Sequence, residues 1–205
     1  MKKALFITFE GTEGGGKSTQ IRNTAAFLKK NKHKVLLLRE PGGTRVSEAI
    51  REVLLNPGNK GMSAEAELLL YLAARAQLVR EKILPALEKG VSVILDRFED
   101  STFAYQGYGR SLSMKNIETV SRLWVRGGLK PDLTIILDID PAKGLARGGR
   151  HDRMEKESMK FHRKVRQGFL SLARKNPKRY GVIDATLSIT EVAKLVEERV
   201  RRVLR

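Results

Sequence analysis

GTEGGGKS, from Gly11 to Ser18, satisfies every position of the pattern G-x-x-x-x-G-K-[ST], the Walker A loop. A chance match in a chain of this length is on the order of one in a hundred at ordinary glycine frequency. The flanks supply the setting the pattern needs. ALFITFE (4–10) reads as a buried strand, and Lys17 opens a segment of helical periodicity. Glycines let backbone N–H groups converge on phosphate oxygens without Cβ clashes, and the helix N-terminus adds partial positive charge. In that arrangement Lys17 reaches the terminal phosphates and Ser18 ligates Mg²⁺. A plain glycine turn is the competing reading, but it has no need of the Gly16-Lys17-Ser18 ending.

Outward from this loop, strands alternate with helices. A helix over 17–30 carries Ile21, Ala25 and Leu28 at helical spacing. KVLLLRE (34–40), VSVILD (91–96), LTIILDI (133–139) and YGVIDA (180–185) read as four more strands. Helices are predicted over 47–55, 63–89 and 116–125, from Pro141, and over 155–175 and 189–204. The stretch 68–74 is apolar all round, which predicts burial. On the last helix Ile189, Val192, Ala193, Val196, Val200 and Val203 share one face. The aromatic and glycine-rich segment 97–112 reads as a loop. The expectation is an α/β fold: a five-stranded parallel sheet covered by helices on both faces, in one domain spanning 1–205. No repeat, low-complexity tract or linker interrupts it.

The net charge of +17 over 205 residues points to polyanionic ligands. Residues 143–179 hold 13 Lys/Arg against 3 Asp/Glu and so supply +10 of it. Most of these read as solvated helix faces. The chain has no cysteine, which excludes disulfides and thiolate metal sites. Met1-Lys2-Lys3 leads straight into a strand without a cleavage site, and the longest apolar run, 68–74, is far too short to span a bilayer. A cytoplasmic protein is expected.

In open parallel sheets, ligands bind beyond the carboxyl ends of the strands. Those ends run into the glycine loop, into Arg39-Glu40-Pro41-Gly42-Gly43-Thr44, into Asp96-Arg97-Phe98 and into Asp138-Ile139-Asp140. Asp96 fits the second carboxylate that holds Mg²⁺ directly or through water, and Arg97 could grip a phosphate bidentately. ARGGRHDRME (146–155) sets Arg147, Arg150 and Arg153 between glycines. That composition suits a closing, water-excluding lid as much as a plain exposed basic loop. Arg75 admits two readings: a polar anchor for a substrate base with Tyr71 stacking one turn earlier, or a core tyrosine beside an arginine that reaches solvent.

Taken together, FEGTEGGGKSTQ (9–20), REPGGT (39–44), LAARAQ (72–77), DRFEDSTFAYQGYGR (96–110), PDLTIILDIDP (131–141), DRME (152–155) and IDAT (183–186) resemble the thymidylate kinase family, in its order and over nearly the whole chain. The resemblance implies P-loop kinase architecture with a small Arg-rich lid over 146–155, and transfer of the ATP γ-phosphoryl to dTMP. It implies an ATP site at Gly11, Thr12, Glu13, Gly14, Gly15, Gly16, Lys17, Ser18 and Thr19, with Arg147, and Mg²⁺ on Ser18, Asp96 and Glu155. The acceptor site it implies is Glu13 on the sugar 3′-hydroxyl, Arg39, Arg51 and Arg97 on the monophosphate, Tyr71 stacked on the base and Arg75 at its edge. Pro41, Ser101, Thr102 and Gln106 complete it, and Tyr105 excludes a ribose 2′-hydroxyl. Glycines at 14–16 leave no arginine in the loop, so the lid is expected to supply catalytic charge through Arg150 and Arg153, beside Lys17, Arg97 and Glu13. A homodimer is implied as well, and no specific nucleic acid is expected. The rival readings are a small P-loop kinase for another nucleotide or nucleoside, and a nucleic-acid-binding ATPase, for which no basic–aromatic recognition motif is visible.

Overall fold

The computed structural model describes residues 3–147 and 152–204. Five strands, β1 (Phe6–Glu10), β2 (Val35–Arg39), β3 (Ser92–Asp96), β4 (Leu133–Asp138) and β5 (Tyr180–Asp184), form one sheet in the order β2-β3-β1-β4-β5. Every pairing is parallel. The register aligns Phe9 and Arg39 with Asp96, and Asp138 with Asp184. The strand ends named from sequence therefore share one edge.

Side chains alternate across the sheet, as the period of two requires. Ile7, Phe9, Ile135 and Leu137 face α1 (Lys17–Lys30) and α9 (Ile189–Val203), where Leu28, Val192, Val196 and Val200 complete one core. Phe6, Val93 and Leu95 face the opposite way, against Leu78, Val79 and Ile83. Ile136 on that second face meets Val165 and Phe169 of α8 (Met159–Lys175). Helices thus cover both faces, as expected for strands this apolar. Ile189, placed by periodicity on the apolar face of α9, lies outside it and is exposed, because it precedes the first turn that reaches the sheet.

The helix expected over 63–89 is α3 (Ala64–Leu78), a π-helical stretch Val79–Ile83, and α4 (Leu84–Glu88). Its run 68–74 is not buried all round: Leu72 and Ala74 face inward, whereas Leu69 is 59% exposed. Between them, α2 (Arg45–Leu55) packs on α3.

Segment 97–112 is not a loop. It forms α5 (Glu99–Thr102) and a π-helical stretch Phe103–Gly109, followed by α6 (Met114–Val120) and a further π-helical stretch Ser121–Val125. Propensity loses here to packing. Ala104, Tyr105, Gln106 and Gly107 are buried, and the segment lies along α8. A Cβ at Gly168 would stand 2.9 Å from the Tyr108 ring and 3.1 Å from the Ala104 Cα, so the absent side chain permits that close approach. The basic helix begins at Met159 rather than near residue 155, where Ser158 accepts from the Phe161 N–H and caps it. A short helix, α7 (Pro141–Ala146), leads from β4 towards the lid segment.

Candidate active site

β1 delivers the glycine loop and α1 carries it away. Gly14 has φ +67°, and a Cβ there would overlap the Gly144 carbonyl of α7. Position 14 is therefore closed to any side chain, an arginine included. The Lys17 ammonium donates to the carbonyls of Gly11 (3.2 Å) and Thr12 (2.9 Å). Burial, with Arg97 adding to it, lowers Lys17 to about 8. Gly16 precedes the helix as its N-cap, so Ser18 and Thr19 lie in the first turn of α1 beside Lys17.

Glu13 meets the end of β3. Its Oε1 accepts from Arg97 Nη2 (2.9 Å) and from the Tyr105 hydroxyl (2.6 Å). Burial raises the Glu13 carboxyl, but Arg97, Lys17 and Tyr105 outweigh it and hold it below the usual range. Arg97 adopts φ +68°, a left-handed conformation uncommon outside glycine. Glu10 supports that turn. Its carboxylate accepts from the Phe98 N–H (2.7 Å) and the Ser101 hydroxyl (2.6 Å), while Arg97 Nη1 reaches the Gly11 carbonyl (3.0 Å) and Ser101 Oγ (3.2 Å). The guanidinium lies 5.2 Å from the centre of the Tyr105 ring.

One cleft joins these groups to the acceptor-side candidates. Glu13, Gly14, Lys17, Asp96 and Arg97 line its loop side; Arg39, Pro41 and Arg51 line another wall; Tyr71, Arg75, Ser101, Thr102, Tyr105 and Gln106 close it. Arg39 pairs with Glu48 at 2.9 Å, and Arg51 donates to the Pro41 carbonyl at 2.7 Å, which holds both cations at the mouth. Arg75 does not reach solvent: it is 2% exposed and donates to Glu40 Oε2 (2.6 Å), Thr102 Oγ1 (2.8 Å) and the Phe98 carbonyl (2.9 Å). Burial pushes Glu40 up to about 7 against the pull of Arg75. The Tyr71 hydroxyl is raised, first by burial and then by Glu67.

The lid differs most from expectation. Arg150 lies outside the described residues. Arg153 does not line the cleft. It is turned inward, donating to Glu67 Oε2 (2.6 Å) and the Leu54 carbonyl (2.8 Å). Glu67 is the reason. It lies in the first turn of α3, where a carboxylate suits the helix N-terminus, yet it is fully buried and collects Arg153, both ends of the Arg110 fork and Gln106 Nε2. A buried carboxylate demands such partners, and Arg153 is one of them. Arg147 reaches the Gly14 and Ala185 carbonyls on the outer side of the loop. Among the described lid residues, Asp152, Met154 and Glu155 line the cleft.

Similarity to known proteins points the same way. The family model described as thymidylate kinase matches residues 9–196. The chain belongs to the thymidylate kinase family. A thymidylate kinase of Deinococcus radiodurans is 50% identical over 91% of both chains, and one of Thermoanaerobacter sp. (strain X514) is 45% identical over 98% of this chain and all of its own. The crystal structure of thymidylate kinase from Ehrlichia chaffeensis superposes with a TM-score of 0.78 at 36% identity, covering 97% of this chain and 98% of that one.

Within that family frame, Glu40, Leu55, Asp152 and Met154 line the cleft without having been singled out from sequence. Glu40, Asp152 and Met154 sat inside the family-like stretches REPGGT and DRME, so the signal was present. Leu55 carried none. Asp138, at the fourth strand end, is held bidentately by Arg166 of α8 (2.7 and 2.8 Å) and stays out of the cleft.

Proposed function

We infer that this protein transfers the γ-phosphoryl of ATP to dTMP, giving dTDP and ADP, in nucleotide biosynthesis. The observation that carries the reading is Glu13. It sits on the phosphate loop beside Lys17, yet its carboxylate is committed to Arg97 and Tyr105 on the acceptor side of the same cleft. Donor and acceptor sites therefore meet on one turn of chain.

This geometry supports the following division of roles. The loop from Gly11 to Thr19 cradles the ATP phosphates through its backbone N–H groups, with Lys17 on the terminal phosphates and Arg147 at the outer side. Arg39, Arg51 and Arg97 face the acceptor phosphate. Tyr71 offers a stacking ring, while Arg75, Thr102 and Gln106 form the polar edge where a pyrimidine base is read, with Pro41 and Ser101 beside them. Tyr105, pinned against Glu13, occupies space next to the sugar. The acceptor oxygen is already anionic at neutral pH, so no strong general base is needed, and positioning with charge neutralisation supplies the rate. With Arg153 bound to Glu67, the lid charge falls to Arg150.

Mg²⁺ suits the residues present. Asp96 Oδ1 is buried without a hydrogen-bond partner among the described residues, as an acceptor reserved for a cation would be. Among the described residues no cluster of three His, Cys, Asp or Glu could hold a metal. Asp96, Ser18 and Glu155 would hold Mg²⁺, and when bound it neutralises charge on the transferring phosphoryl group.

The chain acts as one kinase domain, in the cytoplasm, as a homodimer. No helix among the described residues is long and apolar enough to cross a membrane. The dimer reading rests on exposed apolar side chains: Leu69 of α3 (59%), and Leu123 (55%) and Trp124 (78%) of the stretch packed against α3.

ADP release measured against a panel of nucleoside monophosphates tests the assignment. dTMP is expected to be strongly preferred, and Lys17→Ala to lose at least about 10²-fold in turnover with the fold intact, as expected when a transition-state charge partner is removed. Preference for AMP, GMP or a nucleoside, or near-normal turnover in Lys17→Ala, would sink it.

A further inference from the structure

His162 lies on the first turn of α8, its N–H bonded to the Ser158 carbonyl at 3.1 Å. Its ring is 1% exposed. Neither ring nitrogen has a hydrogen-bond partner among the described residues, and the same holds for the buried Oε2 of Glu13. These unpaired groups face each other, with His162 Nδ1 3.9 Å from Glu13 Oε2. The Phe161 ring packs edge-on against the imidazole, with centroids 5.7 Å apart. A buried imidazole and a buried carboxylate oxygen each cost free energy while unpaired. Closing the gap to about 2.9 Å takes a movement of about 1 Å at the side-chain tips. Nothing in the inventory of His33, His151 and His162 marks this one in sequence.

We propose that His162 is a positioning residue that acts through Glu13, donating Nδ1–H to Glu13 Oε2 and fixing the plane of the carboxylate. Oε1 is already fixed by Arg97 and Tyr105. With one oxygen held, the carboxylate can still swing about that anchor. A second donor from α8 removes this freedom and presents the group to the acceptor nucleotide in one orientation. A neutral imidazole suffices, so no change of charge is involved. The helix that supplies the donor follows directly on the lid residues Asp152, Met154 and Glu155 that line the cleft. The orientation of Glu13 is thereby tied to the lid side of the site.

The inference rests on the dTMP kinase reading, and two measurements separate the two. In steady-state kinetics, His162→Leu is expected to raise KM for dTMP about tenfold, the size of one hydrogen bond to a charged group. KM for ATP should stay within about twofold, outside the range of that bond. His162→Asn keeps an N–H near the Nδ1 position and should restore KM for dTMP to within about threefold of the parent, since the bond is remade. In a Glu13→Gln background, His162→Leu should add less than about twofold, because coupled residues are not additive. An unchanged KM for dTMP in His162→Leu, no rescue by Asn, or full additivity with Glu13→Gln overturns the proposal. The second measurement needs no turnover and no Leu variant. Imidazole ¹⁵N spectra of the parent, with the His162 signal identified by its loss in His162→Asn, should report an Nδ1–H tautomer that shifts in Glu13→Gln. An Nε2–H tautomer, or a signal indifferent to Glu13→Gln, overturns it too. If the parent protein shows the coupled ¹⁵N signal but no dTMP turnover, the pairing stands, and both the function reading and the role given to the pair fail.

Discussion

At the scale of single residues, the site is built from buried charges that satisfy one another. Arg75 and Glu40 are both nearly excluded from water and joined at 2.6 Å. Removing one partner of such a pair strands the other, at about 3–5 kcal/mol. Arg75→Met should therefore lose about that much stability by urea denaturation. The pH dependence fixes the sign. Glu40 titrates near 7 in the folded chain against an ordinary 4.5, so the fold binds an extra proton between those values and loses stability as pH rises through them. Arg75 is what limits that rise, so in Arg75→Met the carboxyl moves higher still. The deficit should be larger at pH 8 than at pH 5, and an equal deficit at both would contradict the buried-pair account. Lys17 supplies a second test. Burial and Arg97 lower it to about 8, so the free enzyme loses this cation as pH rises past that value. A profile of kcat/KM for ATP, which reports the free enzyme, should fall on the alkaline side with an apparent pKa near 8. Replacement by Arg, which does not titrate there, should abolish that limb. Legibility varied sharply among these residues. Lys17, Asp96 and Arg97 were visible because strand ends and a loop pattern announce them. Glu67 and His162 were not, because burial alone makes them matter and no local pattern encodes burial of a charged or imidazole group.

At the scale of elements, the 97–112 segment carries the clearest disagreement between pattern and structure. Glycines and aromatics argue for a loop, yet Tyr105 and Gln106 reach the cleft from a helical backbone packed on α8. The close approach depends on Gly168, where an added Cβ would press on Tyr108 and Ala104. Gly168→Val gains only a few tenths of a kcal/mol in helix propensity, while overpacking costs about 1–3 kcal/mol. A lower urea midpoint is expected. KM for dTMP should rise, since Tyr105 and Gln106 shift with their backbone. An unchanged midpoint would show that the two segments have slack. The lid is corrected at the same scale. Arg153 belongs to the Glu67 cluster that ties α3 to the segment before α8, so it serves as an anchor of the lid.

At the scale of the molecule, charge and apolar exposure are arranged separately. The +17 charge lies mostly on solvated helices, whereas Leu69, Leu123 and Trp124 leave an apolar face around α3. Isolated apolar residues on a surface are ordinary, but three large ones on adjoining elements offer the surface on which the proposed homodimer would form. Sedimentation equilibrium should find a dimer for the parent chain and a monomer for Leu69→Glu with Trp124→Glu, which buries two charges in the interface. A parent chain that sediments as a monomer at micromolar concentration would remove the dimer from the description.

What the sequence by itself determined was the parallel sheet, the phosphate loop and the family. Each rests on short-range periodicity and contiguous motifs, which local physics reads directly. Tertiary structure alone decided three things. It put Arg153 inward and Glu67 at the centre of a buried ion cluster. It made 97–112 helical. It brought His162 opposite Glu13, about 150 positions away in sequence, within 3.9 Å. The common reason is that burial is a property of the packed whole. Whether a charged side chain is a solvated ornament or a structural partner depends on which element closes over it, and that contact is not written in its neighbours along the chain.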